Sequence, residues 1–259
     1  MRMLGLMMAI VGLCTFAALT RGQEKGWEDM LEKLTYKDKD EKTLSYRLLK
    51  PDNYDPQKKY PLVLFLHGAG ERGSDNKAQL KNSVNEFVKA EFRKKYPCFL
   101  IAPQCPTNNG WSHFMTKKGA PKPEGQADPG RLAVELVESI QKEYSIDPNR
   151  LYITGLSMGG YGTWDIIARH PDMFAAAVPI CGGGDPSKAE KFAKMPIWVF
   201  HGGKDPVVPP ARSREMVEAI KKAGGEAKYT EYPDVGHNSW VKAYQDADMM
   251  AWLFEQKKK

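Results

Sequence analysis

The sequence predicts one α/β domain, with a mostly parallel, doubly wound sheet and helices on both of its faces. Several short apolar runs lack polar alternation, which is typical of strands that are covered on both sides. Between these runs lie segments with helical periodicity and with helix start and stop signals. Strands that alternate with helices along the chain favour a parallel sheet of this kind.

Seven strands are expected, each from its apolar pattern and its flanking turn residues. The first alternates in polarity and is followed by Pro51, whereas most of the others are continuous runs of Leu, Ile, Val, Ala and Phe. The expected strands are residues 43–49, 61–66, 99–102, 151–154, 174–180, 197–200 and 227–232.

Four helices are expected between and after these strands. Residues 131–144 place their apolar side chains on one helical face and follow Asp128-Pro129, a typical helix start. Residues 160–170 end at Pro171, and residues 211–223 end at Gly224-Gly225. Residues 243–256 are expected to form one last helix.

The composition excludes several classes of protein. With 42% hydrophobic and 10% aromatic residues, the 259-residue chain is not intrinsically disordered. The formal net charge of +6 is dispersed, and its densest run, Lys257–Lys259, is a solvated end, so no nucleic-acid partner is expected. No metal-binding motif occurs, so neither a metal nor a cofactor is expected. Oligomeric state cannot be read from the sequence.

The N-terminal segment is expected to lie outside the fold. Arg2 precedes 18 uncharged, mostly apolar residues, and small residues follow near Gly22. We therefore expect residues 1–22 to be a cleaved signal peptide and residues 23–259 to form the domain. The protein would then be secreted or periplasmic and free of the membrane after cleavage. The alternative is an uncleaved membrane anchor, because the apolar run is close to spanning length.

The chemistry of the chain centres on Gly155-Leu-Ser-Met-Gly159. This G-x-S-x-G pentapeptide lies between an expected strand and an expected helix, which is the context that a nucleophile elbow requires. The sharp turn holds Ser157 in a strained conformation, and the glycines leave room for neighbouring backbone. The helix that follows directs free N–H groups toward the serine. Ser157 is therefore the expected nucleophile.

A serine nucleophile needs a base and an acid that orients the base. In folds with a G-x-S-x-G elbow of this kind, the acid and the base both follow the serine along the chain. Each lies on a loop at the carboxyl end of a strand. Of five histidines, only His237 lies between the last strand and the last helix, and it is the expected base. Asp205, which follows the strand 197–200, is the expected acid. Asp234 is the alternative closest in sequence, but it shares the loop of His237.

The oxyanion hole is expected to combine two backbone N–H groups. One belongs to Met158, the residue after the nucleophile. The second is assigned to Ala69 in His67-Gly-Ala-Gly70, which follows the strand 61–66, with Gly68 and Gly70 as alternatives. His67 is expected to brace this loop.

These segments resemble α/β-hydrolases of the esterase kind. The resemblance rests on Tyr46–Pro51, Pro61–Gly73, Ala102–Pro106 and Gly155–Trp164. It is closest to secreted bacterial carbohydrate esterases related to feruloyl and acetylxylan esterases, with polyhydroxybutyrate depolymerases and "predicted peptidases" nearby. The resemblance implies an α/β-hydrolase (esterase) domain without cofactor whose triad matches the three residues already selected.

The surroundings of the site bear on its substrate. Residues 181–196 are too few for a cap domain, so we expect an open site that suits esters carried on a plant polysaccharide or another polymer. The long loop 105–128 carries Trp111, His113 and Phe114, rings that either stack on substrate or anchor the loop. Trp240 either lines the pocket or packs beneath the last helix.

The sequence therefore predicts a secreted serine carboxylic ester hydrolase, acting on acetyl or feruloyl-type esters through an acyl-enzyme. The alternatives are a prolyl-oligopeptidase-like serine peptidase and a polyhydroxyalkanoate or other polyester depolymerase. A non-catalytic binding module is the least favoured, because every catalytic part is present.

The expected leader can be tested directly. When the full chain is expressed in a bacterium with a general export pathway, N-terminal sequencing of the exported protein is expected to begin at or near Gln23. Replacing the apolar run with charged residues should retain the uncleaved chain in the cytoplasm. An exported protein that still begins at Met1 would contradict cleavage.

Overall fold

The computed structural model describes residues 26–112 and 128–258. The expected signal peptide, residues 1–22, and the loop residues His113 and Phe114 lie outside the described residues. Within the described ranges, every helix is too short or too polar to traverse a lipid bilayer.

An eight-stranded sheet forms the centre of the described chain. Its strands are β1 (Glu32–Lys37), β2 (Thr43–Leu49), β3 (Tyr60–Leu66), β4 (Phe99–Pro103), β5 (Ile146–Leu156), β6 (Ala176–Ile180), β7 (Ile197–Gly202) and β8 (Ala227–Tyr232). Their order across the sheet is β1-β2-β4-β3-β5-β6-β7-β8. Strand β2 pairs antiparallel with β1 and β4, and the other pairs are parallel. The predicted mostly parallel sheet is confirmed.

Helices cover both faces of this sheet. They are α1 (Val84–Val88), α2 (Ala90–Lys95), α3 (Pro129–Glu143), α4 (Met158–Arg169), α5 (Ala211–Lys222), α6 (Trp240–Gln245) and α7 (Ala247–Glu255). Helices α3, α4 and α5 contribute to one apolar cluster, and α1, α6 and α7 contribute to a second cluster. The arrangement is the doubly wound layering that the sequence predicts.

Strand β3 shows why the central strands are continuous apolar runs. All seven of its residues are buried. Leu62, Leu64 and Leu66 belong to one cluster, whereas Val63 and Phe65 belong to the other. Because successive side chains point to opposite faces and both faces are covered by helices, no position in the strand tolerates a polar residue.

The ends of the sequence-predicted helices agree with the structure in most places. Helix α3 begins after Asp128, whose carboxylate accepts the backbone N–H groups of Gly130 and Arg131. This is the N-cap that the Asp-Pro signal predicts. Helix α5 ends before Gly224, which adopts a positive φ of 72°.

The expectation of one last helix over residues 243–256 is wrong. The chain forms α6 and α7, separated at Asp246, which has extended backbone angles. The Asp246 carboxylate accepts the N–H groups of Asp248 and Met249 and thereby caps α7. An aspartate favours a helix start over a helix interior, and here it starts a second helix.

Three elements were not predicted from the sequence. Strand β1 is mostly exposed and rich in charged residues, as suits the edge of a sheet. It therefore lacks the apolar pattern that reveals a strand. Helices α1 and α2 have only five and six residues, too few for a clear periodicity.

No cap domain interrupts the described chain after the nucleophile helix. Between β6 and β7 the chain forms only a short 3₁₀ helix, Pro186–Phe192. The connection lies against α5 and α4 rather than over the sheet edge. The three cysteines of the described residues, Cys98, Cys105 and Cys181, are buried and form no disulfide with one another.

Helix α4 approaches strand β3 so closely that a glycine is required at the contact. A Cβ atom added to Gly159 would lie 1.9 Å from the carbonyl oxygen of Leu66. A second added Cβ, at Gly155, would lie 2.4 Å from the carbonyl oxygen of Gly159. The expected steric role of both glycines is therefore confirmed.

The substitution Gly159→Ala is expected to lower the free energy of unfolding by at least about 1–3 kcal/mol, because backbone must shift to admit the methyl group. Urea unfolding followed by circular dichroism measures this change. Gly70→Ala is the matched control, since no described atom lies within 4 Å of its added Cβ. Its free energy of unfolding should change by no more than about 0.5 kcal/mol. Equal losses in the two variants would contradict the steric explanation.

Candidate active site

Ser157 lies in the turn between β5 and α4, at the centre of the sheet. Its φ of 52° and ψ of −114° place a non-glycine residue outside the usual regions. Strain of this kind costs about 1–3 kcal/mol and persists only where the surroundings enforce it. The Ser157 N–H donates to the carbonyl of Ile180 at 2.9 Å, which ties the turn to β6. The predicted strained elbow is confirmed.

The structure brings His237 and Asp205 to this serine. His237 follows β8 and precedes α6, and Asp205 follows β7. The Nε2 atom of His237 lies 2.9 Å from Ser157 Oγ, and its Nδ1 atom lies 2.7 Å from Asp205 Oδ2. Because an ionised carboxylate only accepts hydrogen bonds, Nδ1 carries the proton. The free lone pair of Nε2 then faces the serine hydroxyl.

The two oxygens of Asp205 have separate partners. Oδ1 accepts the backbone N–H groups of Val207 and Val208, at 2.8 and 2.9 Å. Oδ2 accepts the Nδ1–H of His237. Burial by itself would raise the pKa of Asp205, but the hydrogen bonds from His237, Val208 and Val207 outweigh it and leave the pKa below its usual value. Asp205 is therefore a fixed anion at neutral pH.

His201 lies behind Asp205, where sequence reasoning gave it no role. Its Nε2 is 2.9 Å from the carbonyl of Val208, and its Nδ1 is 2.7 Å from Ser213 Oγ. A carbonyl only accepts, so Nε2 carries the proton. Burial lowers the pKa of His201, which keeps the ring neutral. His201 therefore fixes the loop that follows β7 as a neutral ring, and its Nε2 also lies 3.3 Å from Asp205 Oδ2.

Asp234, the alternative acid, lies away from the histidine ring. Its carboxylate is exposed and pairs with Lys204 Nζ at 2.6 Å. The geometry therefore selects Asp205 as the partner of His237.

The two expected oxyanion donors belong to two elements that begin beside the serine turn. Met158 is the first residue of α4, and Ala69 begins a 3₁₀ turn over Ala69–Glu71. Within the described residues, and apart from bonds inside helices and strands, neither N–H donates to a backbone carbonyl. A Cβ added to Gly68 would lie 3.7 Å from Ser157 Cβ, so the loop before Ala69 touches the nucleophile.

His67 contacts this loop as a neutral ring. Its Nε2 accepts the N–H of Cys105 at 2.9 Å, so its Nδ1 carries the proton and donates to the carbonyl of Gly68 at 2.6 Å. Burial lowers the pKa of His67 to about 4. These contacts support the expected role of His67 in bracing the loop.

The two tryptophans have different placements. Trp111 is fully buried, with its Nε1 donating to the carbonyl of His67 at 3.0 Å. The suggestion that Trp111 stacks on substrate is therefore wrong for this structure, and the anchoring alternative fits, because the ring has no exposed surface. Trp240 is half-buried, and its ring meets that of His237 edge to face, with 5.3 Å between centroids. Trp240 thus borders His237, the expected base.

One group of potential metal ligands overlaps this site. Among the described residues, ligand atoms of Cys181, Asp205 and His237 lie within 4.8 Å of one another. Burial raises the pKa of the Cys181 thiol to about 12, so the thiol stays protonated and is a poor ligand. The histidine and aspartate atoms already bond to each other.

The sheet order, the helices on both faces and the serine turn at the end of β5 define an α/β-hydrolase fold. Residues 107–252, more than half of the chain, match the model of the dienelactone hydrolase family. The chain belongs to that family.

Curated relatives include proteins named as a depolymerase and as feruloyl esterases. The chain is 27% identical over 218 residues to poly(3-hydroxyalkanoate) depolymerase C of Paucimonas lemoignei, covering 73% of this chain and 51% of the relative. It is 27% identical over 183 residues to a probable feruloyl esterase C of Aspergillus terreus, covering 70% of this chain and 62% of the relative. The chain thus spans between half and two thirds of the length of these relatives. The expected resemblance to both groups is confirmed.

Solved structures agree with this placement. A thermostable esterase is 43% identical, with a TM-score of 0.83, over 90% of this chain and 64% of that one. A CE1 ferulic acid esterase from Anaeromyces mucronatus shares 18% identity and a TM-score of 0.60, over 85% of this chain and 91% of that one. The second likeness concerns the fold alone.

The substitution Asp205→Asn is expected to lower kcat on a chromogenic ester by about 10³–10⁴-fold. Oδ1 must still accept two backbone N–H groups, so the new amide NH₂ replaces Oδ2 and points at His237 Nδ1. The ring is then forced to protonate Nε2, which can no longer take a proton from Ser157. Steady-state kinetics measure the loss.

Asp234→Asn is the matched control, because it removes the other carboxylate near His237 from an exposed position. Its kcat should stay within about twofold of the wild-type value, as expected of a surface change. A large loss in Asp234→Asn together with a small loss in Asp205→Asn would reverse the assignment.

Proposed function

We propose that this protein hydrolyses carboxylic esters with Ser157 as nucleophile. The observation that carries the proposal is the continuous hydrogen-bonded chain from Ser157 Oγ through the His237 ring to the buried Asp205 carboxylate. This series of hydrogen bonds begins at a hydroxyl and ends at a carboxylate anion, as base-assisted nucleophilic attack requires. The 43% identity to a thermostable esterase supports the same reaction class.

The reaction follows from the order of these groups. His237 Nε2 takes the proton of Ser157 as Oγ attacks the ester carbonyl, and Asp205 stabilises the imidazolium that forms. The N–H groups of Met158 and Ala69 bind the oxyanion. When the tetrahedral intermediate collapses, the C–O bond to the alcohol breaks and His237 returns its proton to the departing alkoxide.

The second half of the reaction repeats these steps with water. His237 Nε2 takes a proton from a water molecule, whose oxygen attacks the carbonyl of the acyl-enzyme. Collapse of this intermediate releases the carboxylic acid, and the proton held by His237 restores the Ser157 hydroxyl. The cycle consumes one ester and one water and needs no cofactor.

For substrate class we propose acetyl or feruloyl-type esters carried on a carbohydrate polymer. Within the described residues, the short connection between β6 and β7 places no cap over the sheet edge, which suits a bulky chain-like alcohol. His237 and Trp240 retain exposed surface at the site. The half-buried indole of Trp240 offers a face for a sugar or an aromatic acid. Relatives that are named feruloyl esterases support this class.

A polyester depolymerase is the second candidate, since one relative is named for that activity. We also propose that the protein works outside the cytoplasm, on the strength of the apolar leader in residues 1–22. Export agrees with a polymeric substrate that does not cross a membrane.

The central test compares wild type with Ser157→Ala on acetylated xylan, methyl ferulate, a hydroxybutyrate oligomer and a prolyl amide. Wild type is expected to release acid from the esters. Ser157→Ala should lose at least about 10³-fold in kcat, because only unpositioned water is then left to attack the ester. Chromatography of the released acids gives the ranking.

Ser187→Ala serves as the control, because Ser187 is an exposed serine on the 3₁₀ helix and its variant should keep wild-type turnover. Faster cleavage of the prolyl amide than of every ester would overturn the esterase proposal in favour of a peptidase. Preference for the hydroxybutyrate oligomer would select the polyester candidate.

A further inference from the structure

Glu71 is a buried acidic residue beside the active site that the reaction above does not use. Only 6% of its surface is exposed. Burying a carboxylate is costly unless hydrogen bonds replace its water, so its partners indicate what it holds. It lies in the Gly-Glu-Arg-Gly segment, residues 70–73, which directly follows Ala69.

The carboxylate of Glu71 packs against Gly68. Its Oε2 lies 2.9 Å from the position that a Cβ of Gly68 would take, so any side chain at residue 68 would displace it. The Glu71 N–H in turn donates to the carbonyl of Gly68 at 3.4 Å. On the far side, Oε1 accepts the Nδ2–H of Asn82 at 2.9 Å. Glu71 therefore fills the space between Gly68 and Asn82.

Gly68 is held at its Cα and at its carbonyl. The Glu71 carboxylate packs against the Cα, and the carbonyl accepts the Nδ1–H of His67 at 2.6 Å and the N–H of Glu71 at 3.4 Å. The carbonyl carbon of Gly68 is bonded to the nitrogen of Ala69, so these contacts set the plane of the peptide that carries the Ala69 N–H.

The base of this arrangement is tied to the sheet. The carbonyl of Glu71 accepts the Nε2–H of Gln104 at 3.2 Å, and Gln104 Oε1 accepts the N–H of Asn76 at 2.7 Å. Asn76 in turn donates its Nδ2 hydrogens to the carbonyls of Leu34 on β1 and Tyr46 on β2. All three polar residues are buried. Glu71 is thus held on a rigid support rather than on a free loop.

We propose that Glu71 is a positioning residue of the oxyanion hole, which holds Gly68 so that the Ala69 N–H points at the oxyanion formed on the substrate. The role rests on the proposed ester hydrolysis and acts through Gly68 and Ala69, without contact to substrate. A misplaced donor weakens binding of the transition state more than binding of the ground state, so kcat should fall while KM changes little.

The test measures kcat and KM on a chromogenic ester for Glu71→Ala, Glu71→Gln and Asn82→Ala. Glu71→Ala is expected to lose about 10–100-fold in kcat, with KM within about threefold, since displacement of a catalytic group costs up to about 10²-fold. Glu71→Gln keeps a side chain of the same length against Gly68 and an oxygen acceptor for Asn82, so it should stay within about fivefold of wild type. Asn82→Ala should lower kcat because Glu71 loses its hydrogen-bond donor. The double variant Glu71→Ala/Asn82→Ala should therefore have the same kcat as Glu71→Ala alone.

Glu86→Ala is the matched control. Glu86 is also a buried glutamate, 8% exposed, but its carboxylate bonds to Lys89 and Gln245 away from the oxyanion loop. This variant should lose stability comparably, with kcat within about twofold of wild type. Equal kcat in Glu71→Ala and Glu86→Ala would overturn the positioning role, as would a failure of Glu71→Gln to retain more activity than Glu71→Ala.

A second readout is independent of hydrolysis. The NMR chemical shift and the hydrogen-exchange rate of the Gly68 amide should be nearly the same in wild type and in Glu71→Gln. In Glu71→Ala the chemical shift should change and exchange should be faster, because no carboxylate packs against Gly68. If wild type hydrolyses no ester, the proposed function fails, and this amide still decides whether Glu71 holds Gly68. A Gly68 amide that is the same in all three proteins would overturn the proposal.

Discussion

The reversal of the chain at Ser157 is the constraint on which the rest of the site depends. Strand β5 ends and α4 begins within one residue, and that residue takes a backbone conformation that a non-glycine residue rarely adopts. Such a turn requires that α4 lie against the end of β3 with no side chain between them. The helix N-terminus and the nucleophile therefore share one place, and the N–H of Met158 is available there without any rearrangement.

The charges of the site depend on which buried groups donate hydrogen bonds to Asp205. Asp205 is an anion because one of its oxygens is saturated by backbone N–H groups and the other by a ring N–H. Its neighbour His201 is buried and neutral, so it orders the loop without neutralising the carboxylate. The net effect at this site is a buried negative charge directed at the ring of His237.

The oxyanion loop shows a second use of buried polar groups. Neutral His67 and acidic Glu71 contact the same glycine, and amide side chains connect Glu71 to β1 and β2. The antiparallel edge of the sheet, which contributes none of Ser157, Asp205 and His237, thereby supports the loop beside Ser157. Rigid support of this kind lowers the reorganisation that oxyanion binding would otherwise require.

Local sequence pattern determined a large part of this protein. Continuous apolar runs predicted the parallel strands because both faces of the sheet are covered, and Gly155-Leu-Ser-Met-Gly159 predicted the elbow because only glycines admit the backbone there. Chain order then selected His237 and Asp205, since loops at the carboxyl edge of a parallel sheet converge. Where the local signal was weak or ambiguous, prediction failed: edge strand β1 is polar, and Asp246 divides the last helix by capping its second half.

Only the tertiary structure decided which polar groups meet. The burial of Trp111, the neutral ring of His201 behind Asp205, and the contact of Glu71 with Gly68 and Asn82 join residues from separate elements. No periodicity or motif encodes such contacts, because a hydrogen bond depends on distance and direction between side chains that the sequence places far apart. The residue types of the site were thus set by the sequence, and their charges and hydrogen-bond partners by the packing of the sheet.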